Sequence, residues 1–207
     1  MNRRASIPLI AVLVVSCATL EPSIPQSYAG PTAVVSDTHA PEDRAKAQFF
    51  VLVAIDGKAI NNALIESRRA TYGKGFSLTT KNLSRDVPAQ PMKVKLRATH
   101  ETGAPIHAIA SMAAGTFFSV EGEVTFEPKE RGQYIVTGEL SKDGSAVWIQ
   151  DLETNQPVTE KIISKTGRLS TGATRAETAS SQSTPRSSVT CDKWGNPKNP
   201  DGTSCRQ

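Results

Sequence analysis

The chain has 207 residues, a formal net charge of +4 and only three cysteines. Aromatic residues make up 5% of it, so the stacked aromatic platforms of single-strand nucleic-acid binders are not expected, and we expect no nucleic-acid partner. No glycine-rich phosphate loop, dinucleotide fingerprint or nucleophile-elbow serine occurs in the sequence, which leaves no motif for those enzyme classes.

The first sixteen residues have the features of an export signal. An apolar run over residues 7–15 is shorter than the ~20 residues that a membrane-spanning helix needs. It ends at Val14-Val15-Ser16-Cys17, which resembles the lipobox of bacterial lipoproteins. The resemblance implies cleavage before Cys17 and acylation of that cysteine, so that membrane lipid becomes a partner of the chain. Because Ala18 is not Asp, it also implies the outer membrane, on the face towards the periplasm.

An ordinary secretory signal is the alternative interpretation of this region. Ser27 and Ala29 occupy the two positions where a signal peptidase prefers small residues, which would place the cut after Ala29. That cut would fall more than ten residues beyond the apolar run and past two prolines, Pro22 and Pro25. The lipobox is therefore the favoured interpretation.

The remaining cysteines, Cys191 and Cys205, lie near the C-terminus. Acylation of Cys17 leaves them as a pair, and in an oxidising envelope we expect one disulfide between them. Such a loop of ~15 residues gains about 3 kcal/mol in the chain-entropy model. It holds one tryptophan and two lysines that are candidate partner-binding residues, because exposed aromatic side chains often anchor a partner: Trp194, Lys193 and Lys198. The alternative is a terminal knot in which the tryptophan packs on the disulfide.

Composition divides the chain into five expected segments. The signal (1–16) is followed by a proline-containing, lipidated flexible tether (17–47). Residues 48–164 hold the apolar periodicity and form the domain. Residues 165–190 are nearly all Ser, Thr, Ala, Gly and Arg, a linker that cannot bury a core. Residues 191–207 form the small disulfide loop.

The domain is predicted to be all-β. Residues 48–55 are a continuous apolar run, as in a strand buried on both faces, and three further stretches alternate apolar and polar residues. Short strands separated by turn signals such as Asp-Gly predict a single antiparallel β-sandwich of about seven strands. We also predict one short helix, with an asparagine cap. The alternating stretches are 92–98, 120–126 and 134–140, the last strand is 146–150, and the helix lies within 61–71.

The segment VEGEVTFEPKERGQYIVTGEL (120–140) resembles a hairpin found in small transthyretin-like and other seven-stranded bacterial sandwiches. More loosely, residues 48–164 resemble uncharacterised proteobacterial envelope lipoproteins. The resemblance implies the fold and implies no activity.

Charge is unevenly distributed along the domain. Residues 58–97 carry nine Lys/Arg and two Asp/Glu (9 − 2 = +7), whereas residues 101–160 carry three and ten (3 − 10 = −7). One interpretation is that these are solvated strand faces that pair across a sheet. The other is a dipolar molecule that docks on an anionic surface with one half.

Few residues are candidates for chemistry. His100 and His107 have no convincing third metal ligand nearby and are expected to be turn or strand-surface histidines, so we predict no metal site and no cofactor. Glu121 and Glu123 share one strand face, which is typical of a wet sheet surface. We therefore expect a non-enzymatic binding or scaffolding module for an envelope protein or a cell-wall partner. The alternative is a cell-envelope hydrolase, or an inhibitor of secreted or cell-wall enzymes.

Overall fold

The computed structural model describes residues 19–164 and, beyond them, the backbone of two short strands, Thr190–Cys191 and Pro197–Lys198. Those two strands pair antiparallel with each other. The sites predicted at Cys17, at Cys205 and at the side chains of Cys191, Lys193, Trp194 and Lys198 lie outside the described residues, and the disulfide therefore stays a prediction.

Residues 19–164 are mostly β, as predicted. They contain ten strands and two helices, against the expected seven strands and one helix. The strands are β1 Thr32–Ser36, β2 Thr38–Pro41, β3 Lys46–Ile55, β4 Lys58–Ala59, β5 Ser84–Pro88, β6 Met92–Thr102, β7 Ser119–Phe126, β8 Gln133–Ser141, β9 Gly144–Asp151 and β10 Ile162–Ser164. The helices are α1 Ala63–Thr71 and α2 Pro105–Ala113.

The strands form two five-stranded sheets. The first has the order β2-β3-β6-β7, with β4 paired to β3, and the second has the order β10-β9-β8-β1-β5. The pairing of β1 with β8 is parallel, and the other pairs within these two sheets are antiparallel. The chain passes from the second sheet to the first at Asp37, the residue between β1 and β2.

One hydrophobic core is shared by both sheets. Phe50, Leu52 and Leu96 from the first sheet join Val136 and Ile149 from the second. The opposite face of β3 is also buried, because Ala47, Phe49 and Val51 pack with Ala63 and Leu64 of α1. This double burial explains the continuous apolar run in β3, since a strand covered on both faces has no polar side to display.

The predicted flexible tether does not extend over residues 32–47. That stretch contains β1, β2 and the start of β3, and β1 lies between β5 and β8 inside the second sheet. The apolar alternation in β1 is limited to Ala33 and Val35, the two buried residues of a five-residue strand. So short a pattern between proline-containing segments gives little sequence signal for a strand.

The first sheet has two distinguishable ends. Lys46 of β3 pairs with Thr102 of β6 at the end that leads into α2, which we call the α2 end. At the other end Ile55 pairs with Val94, and Ala54 pairs with Ala59 of β4. We call this the β4 end.

Candidate functional site

The link from β6 to β7 contains a helix whose large apolar side chains are exposed to solvent. Residues 102–120 include no Asp, Glu, Lys or Arg. None of the residues of α2 (Pro105–Ala113) is buried, and Ile106, Ile109 and Met112 are 58%, 61% and 49% exposed. A surface helix of a globular protein normally buries its apolar stripe and shows charge to water. In this helix the apolar stripe is the exposed one.

A loop after α1 extends this apolar surface. The Phe76 side chain is 65% exposed and its ring stacks on His107 of α2, with 5.2 Å between centroids. The backbone of the loop is held close to the start of α2, since a Cβ on Gly103 would lie only 2.3 Å from the Phe76 carbonyl oxygen. We call the surface formed by Phe76, Ile106, Ile109 and Met112 the α2 face. Exposed apolar side chains gathered at one end of a domain often mark an interaction surface.

Cations lie along the same end of the domain. Within residues 19–164, three basic side chains near the α2 face have carboxylate partners, in the pairs Lys46–Glu42, Arg68–Glu101 and Arg69–Glu66. Arg44 and Lys74 form no ion pair among those residues; Lys74 Nζ donates to Thr79 Oγ1 at 3.2 Å. Lys81 also forms no ion pair among those residues. Asp43 is the acidic residue of this rim without an ion pair in that range, and its carboxylate accepts a hydrogen bond from Ala45 N. The rim of the α2 face therefore keeps a small positive excess.

The Arg44 backbone connects this rim to the Phe76 loop. Its carbonyl accepts a hydrogen bond from Leu78 N at 2.9 Å, and the carbonyl of Ala45 accepts one from Gly103 N at 2.8 Å. The turn between β2 and β3 thus holds both the loop and the start of α2 in place.

A buried histidine lies behind α2. His100 of β6 is 2% exposed, and the rings of Phe117 and Phe118 lie 5.7 and 5.6 Å from its ring. Its Nδ1 accepts a hydrogen bond from Phe118 N at 3.0 Å, so Nε2 carries the proton and donates to Glu42 Oε1 at 2.7 Å. The expectation of a surface histidine was wrong at this position, because β6 is covered here by the link that follows α2.

Glu42 collects further donors around the histidine. Gln48 Nε2 lies 2.9 Å and Lys46 Nζ 3.0 Å from its carboxylate, and Lys46 Nζ also donates to the Thr116 carbonyl at 2.8 Å. Burial lowers the pKa of His100 even though the Glu42 charge opposes that shift. Burial would raise the pKa of Glu42, but the bonds from Gln48 and Lys46 outweigh it and lower that pKa. The hydrogen bonds of His100, Glu42 and Lys46 connect the β2–β3 turn to the segment after α2.

A second buried polar group lies at Asp37, where the chain changes sheets. The Asp37 carboxylate accepts hydrogen bonds from Leu52 N at 3.0 Å and from Ala63 N, the first residue of α1, at 2.8 Å, and it forms an ion pair with Arg85 of β5. Burial raises the pKa of Asp37, and Arg85 opposes this shift. The Leu52 contact lies at a bulge in the β3–β6 pairing. Asp37 therefore connects both sheets and the helix, which is a structural role.

Charged side chains on the outer face of the first sheet pair across strands, as one of the two interpretations of the charge distribution predicted. Glu121 of β7 contacts Lys95 at 2.8 Å and also pairs with Arg97, both on β6. Glu123 lies opposite Lys95 in the strand register. These contacts account for Glu121 as part of a wet sheet face.

The other candidates for chemistry are dispersed. His39, which the sequence placed in the tether, lies in β2 and stacks on Phe49 at 5.7 Å. Among the residues that the structure describes, no three His, Cys, Asp or Glu side chains come together as a metal site would require. A surface depression of about 580 Å³ is lined by Thr125 and residues 157–160, and Glu160 is the ionisable side chain among them.

Sequence reasoning missed the α2 face. The absence of charge over residues 102–120 was the signal that could have revealed it. No helix within the described part of the chain is long and apolar enough to cross a membrane. Comparison of the chain with protein-family models, with curated proteins and with solved structures found no match.

Proposed function

We propose that this chain is a lipid-anchored envelope protein whose two sheets form a β-sandwich, antiparallel except at the β1–β8 pair, that serves as a non-enzymatic binding module. The motif ending at Cys17 supports the anchor, and the core shared by the two sheets supports the sandwich. The observation that carries the binding role is the exposed, uncharged helix α2. A stable surface helix that buries none of its apolar side chains in its own domain is available to another molecule.

The attachment of the N-terminal segment supports a close tether. Glu21 N donates to the Ala59 carbonyl at 2.7 Å, and Glu21 forms a bridge with Ile60, both at the β4 end. Only residues 18–20 separate Cys17 from Glu21, so even a fully extended chain would reach about 14 Å. A lipid on Cys17 would hold the β4 end near the bilayer, while the α2 end lies one strand length away, roughly 30 Å for β3.

The polar clusters support binding over catalysis. Both ring nitrogens of His100 are engaged, by Phe118 N and by Glu42, so the histidine offers no free base. A general base has to reach a substrate proton within hydrogen-bond distance. The Asp37 carboxylate is likewise fully used by two backbone donors and Arg85.

Fractionation of cells tests the anchor. The unaltered chain should stay with the membranes after an alkaline wash and should yield an acylated N-terminal peptide by mass spectrometry. Cys17→Ser should be unprocessed or soluble, and Cys191→Ser serves as the control for loss of a cysteine. Retention of the unacylated Cys17→Ser protein through the wash would refute the anchor.

Site-specific crosslinking in intact membranes tests the binding role. A photoreactive residue at position 109 on the α2 face should give an adduct, detected by mass spectrometry as added protein or as added lipid. The matched control is position 163 on β10, since Ile163 is 63% exposed and Ile109 is 61% exposed. Equal adducts from the two positions, or none from position 109, would refute the α2 face as the binding surface.

A further inference from the structure

We propose that the α2 face docks on an anionic phospholipid surface. Ile106, Ile109, Met112 and Phe76 would enter the boundary between headgroups and acyl chains, and Arg44 and Lys74 would meet lipid phosphates. This site deepens the proposed binding module by naming its ligand class. It is separate from the lipid anchor, since Glu21 ties the N-terminal segment to the opposite, β4 end of the first sheet. One bilayer can therefore meet the anchor and the α2 face together only when the strands of the first sheet lie along its surface.

The lack of charge is the first step of the argument. Bringing a charged side chain into hydrocarbon is costly, which makes charge-free, apolar surface the kind that membranes accept. Residues 102–120 supply such a surface without one Asp, Glu, Lys or Arg.

Several backbone groups at the two ends of α2 are paired within the segment or have no N–H to pair. Pro105 at the start of α2 has no N–H to satisfy. At the other end, Ala114 N donates to Ala110 O, Gly115 N to Met112 O and Thr116 N to Ser111 O. Unpaired backbone donors are expensive in lipid, and these three are already paired within the segment.

The rim supplies the charge complementarity. Arg44 and Lys74 have no acidic partner among residues 19–164, and both lie beside the loop that carries Phe76. Basic residues next to an exposed apolar surface attract anionic lipid headgroups. Aromatic rings such as Phe76, and Tyr72 at 92% exposure in the same loop, suit the interfacial layer. A symmetric second copy would instead bring the two cationic rims near each other.

A fluorescent reporter tests the docking. The full chain, with its three cysteines replaced by serine, carries either Ile109→Cys or Ile163→Cys labelled with an environment-sensitive nitrobenzoxadiazole dye. The vesicles are phosphatidylcholine alone or phosphatidylcholine mixed with phosphatidylglycerol. We expect several-fold brighter emission at position 109 with phosphatidylglycerol vesicles, and little change at position 163. Residues 1–16 are common to both proteins and cannot produce the difference.

Two variants separate the apolar and charged contributions. Arg44→Gln with Lys74→Gln should weaken the response to phosphatidylglycerol vesicles by about tenfold, because each surface cation contributes a favourable term. Ile106→Ser with Met112→Ser should weaken it by about tenfold or more. The matched control, Leu152→Ser, alters an exposed apolar residue of the β9–β10 loop, 43% exposed, and should leave it unchanged.

Three results would overturn the proposal. Equal responses at positions 109 and 163 would show that α2 makes no special contact. Equal binding to neutral and anionic vesicles would remove the role of the rim. Brightening at position 109 that rises with protein concentration and needs no vesicles would show that a second copy covers the face. Because these proteins lack Cys17, none of these results bears on the lipid anchor, which the fractionation experiment tests separately.

Discussion

The buried ion pair at the sheet crossing gives the most demanding test of the fold. Asp37→Asn keeps the shape of the side chain and removes its charge. The variant leaves Arg85 buried without a counter-charge, and its amide has one oxygen for the two backbone donors, Leu52 N and Ala63 N. Breaking a buried pair in this way costs about 3–5 kcal/mol, a large part of the ~5–15 kcal/mol that stabilises a domain.

Urea unfolding measures the loss. With a slope of about 2 kcal/mol per molar, the midpoint for Asp37→Asn should fall by roughly 2 M. The control is Asp86→Asn on β5, an exposed acid without an ion pair among residues 19–164, which should change stability by no more than ~0.5 kcal/mol. The double variant Asp37→Asn with Arg85→Leu should recover ~2 kcal/mol, because the stranded charge is gone.

Two outcomes would refute this reasoning. If Asp37→Asn moved the midpoint no further than Asp86→Asn, the pair would contribute nothing. If the losses of Asp37→Asn and Arg85→Leu simply added in the double variant, the two side chains would not be coupled.

Other predictions follow from the site and the tails. The pKa of His100 in the folded protein lies below its ordinary 6.5. The stability that the neutral histidine contributes is therefore full above pH 6.5 and is lost as the pH falls through the folded pKa. In His100→Gln, the urea midpoint should fall less steeply over this pH range. Gly138→Ala should cost about 1–3 kcal/mol in the same assay, since the new Cβ would lie 2.2 Å from a carbonyl oxygen of β9. Removing residues 165–207 should move the melting temperature by only a few degrees, and a large drop would contradict a self-sufficient core. Non-reducing mass spectrometry should find Cys191 and Cys205 joined, and free thiols would disprove the disulfide.

The strands that the sequence identified are those with a core on one side or on both. In β6, buried Val94 and Leu96 alternate with Lys93 and Lys95, and this contrast between faces is visible in the sequence. α1 was also predicted, with Asn62 as its cap, and Asn62 Oδ1 accepts from Ile65 N at 3.1 Å. Local chemistry of this kind needs no knowledge of the rest of the fold.

α2 escaped prediction because it lacks those local signals. Ala104 precedes it without a side-chain cap, and the helix contains no Asp, Glu, Lys or Arg, so neither a cap nor a charged face marks it as a surface helix. The polar clusters could not be predicted for a different reason. Asp37 and Arg85 are 48 positions apart, and Glu42 and His100 are 58 apart. Only the pairing of β2, β3 and β6 brings the second pair together.

The position of β1 sets an order for folding. This strand joins β5 to the β8–β9–β10 half of the second sheet, and its parallel pairing matches Val34 with Gln133, far along the chain. The sheet therefore cannot close until residues beyond 133 are available, and such distant pairing is slow to form. The first sheet needs only residues up to Phe126. If the chain is exported as we propose, this late closure favours a polypeptide that stays open during translocation and completes its core afterwards.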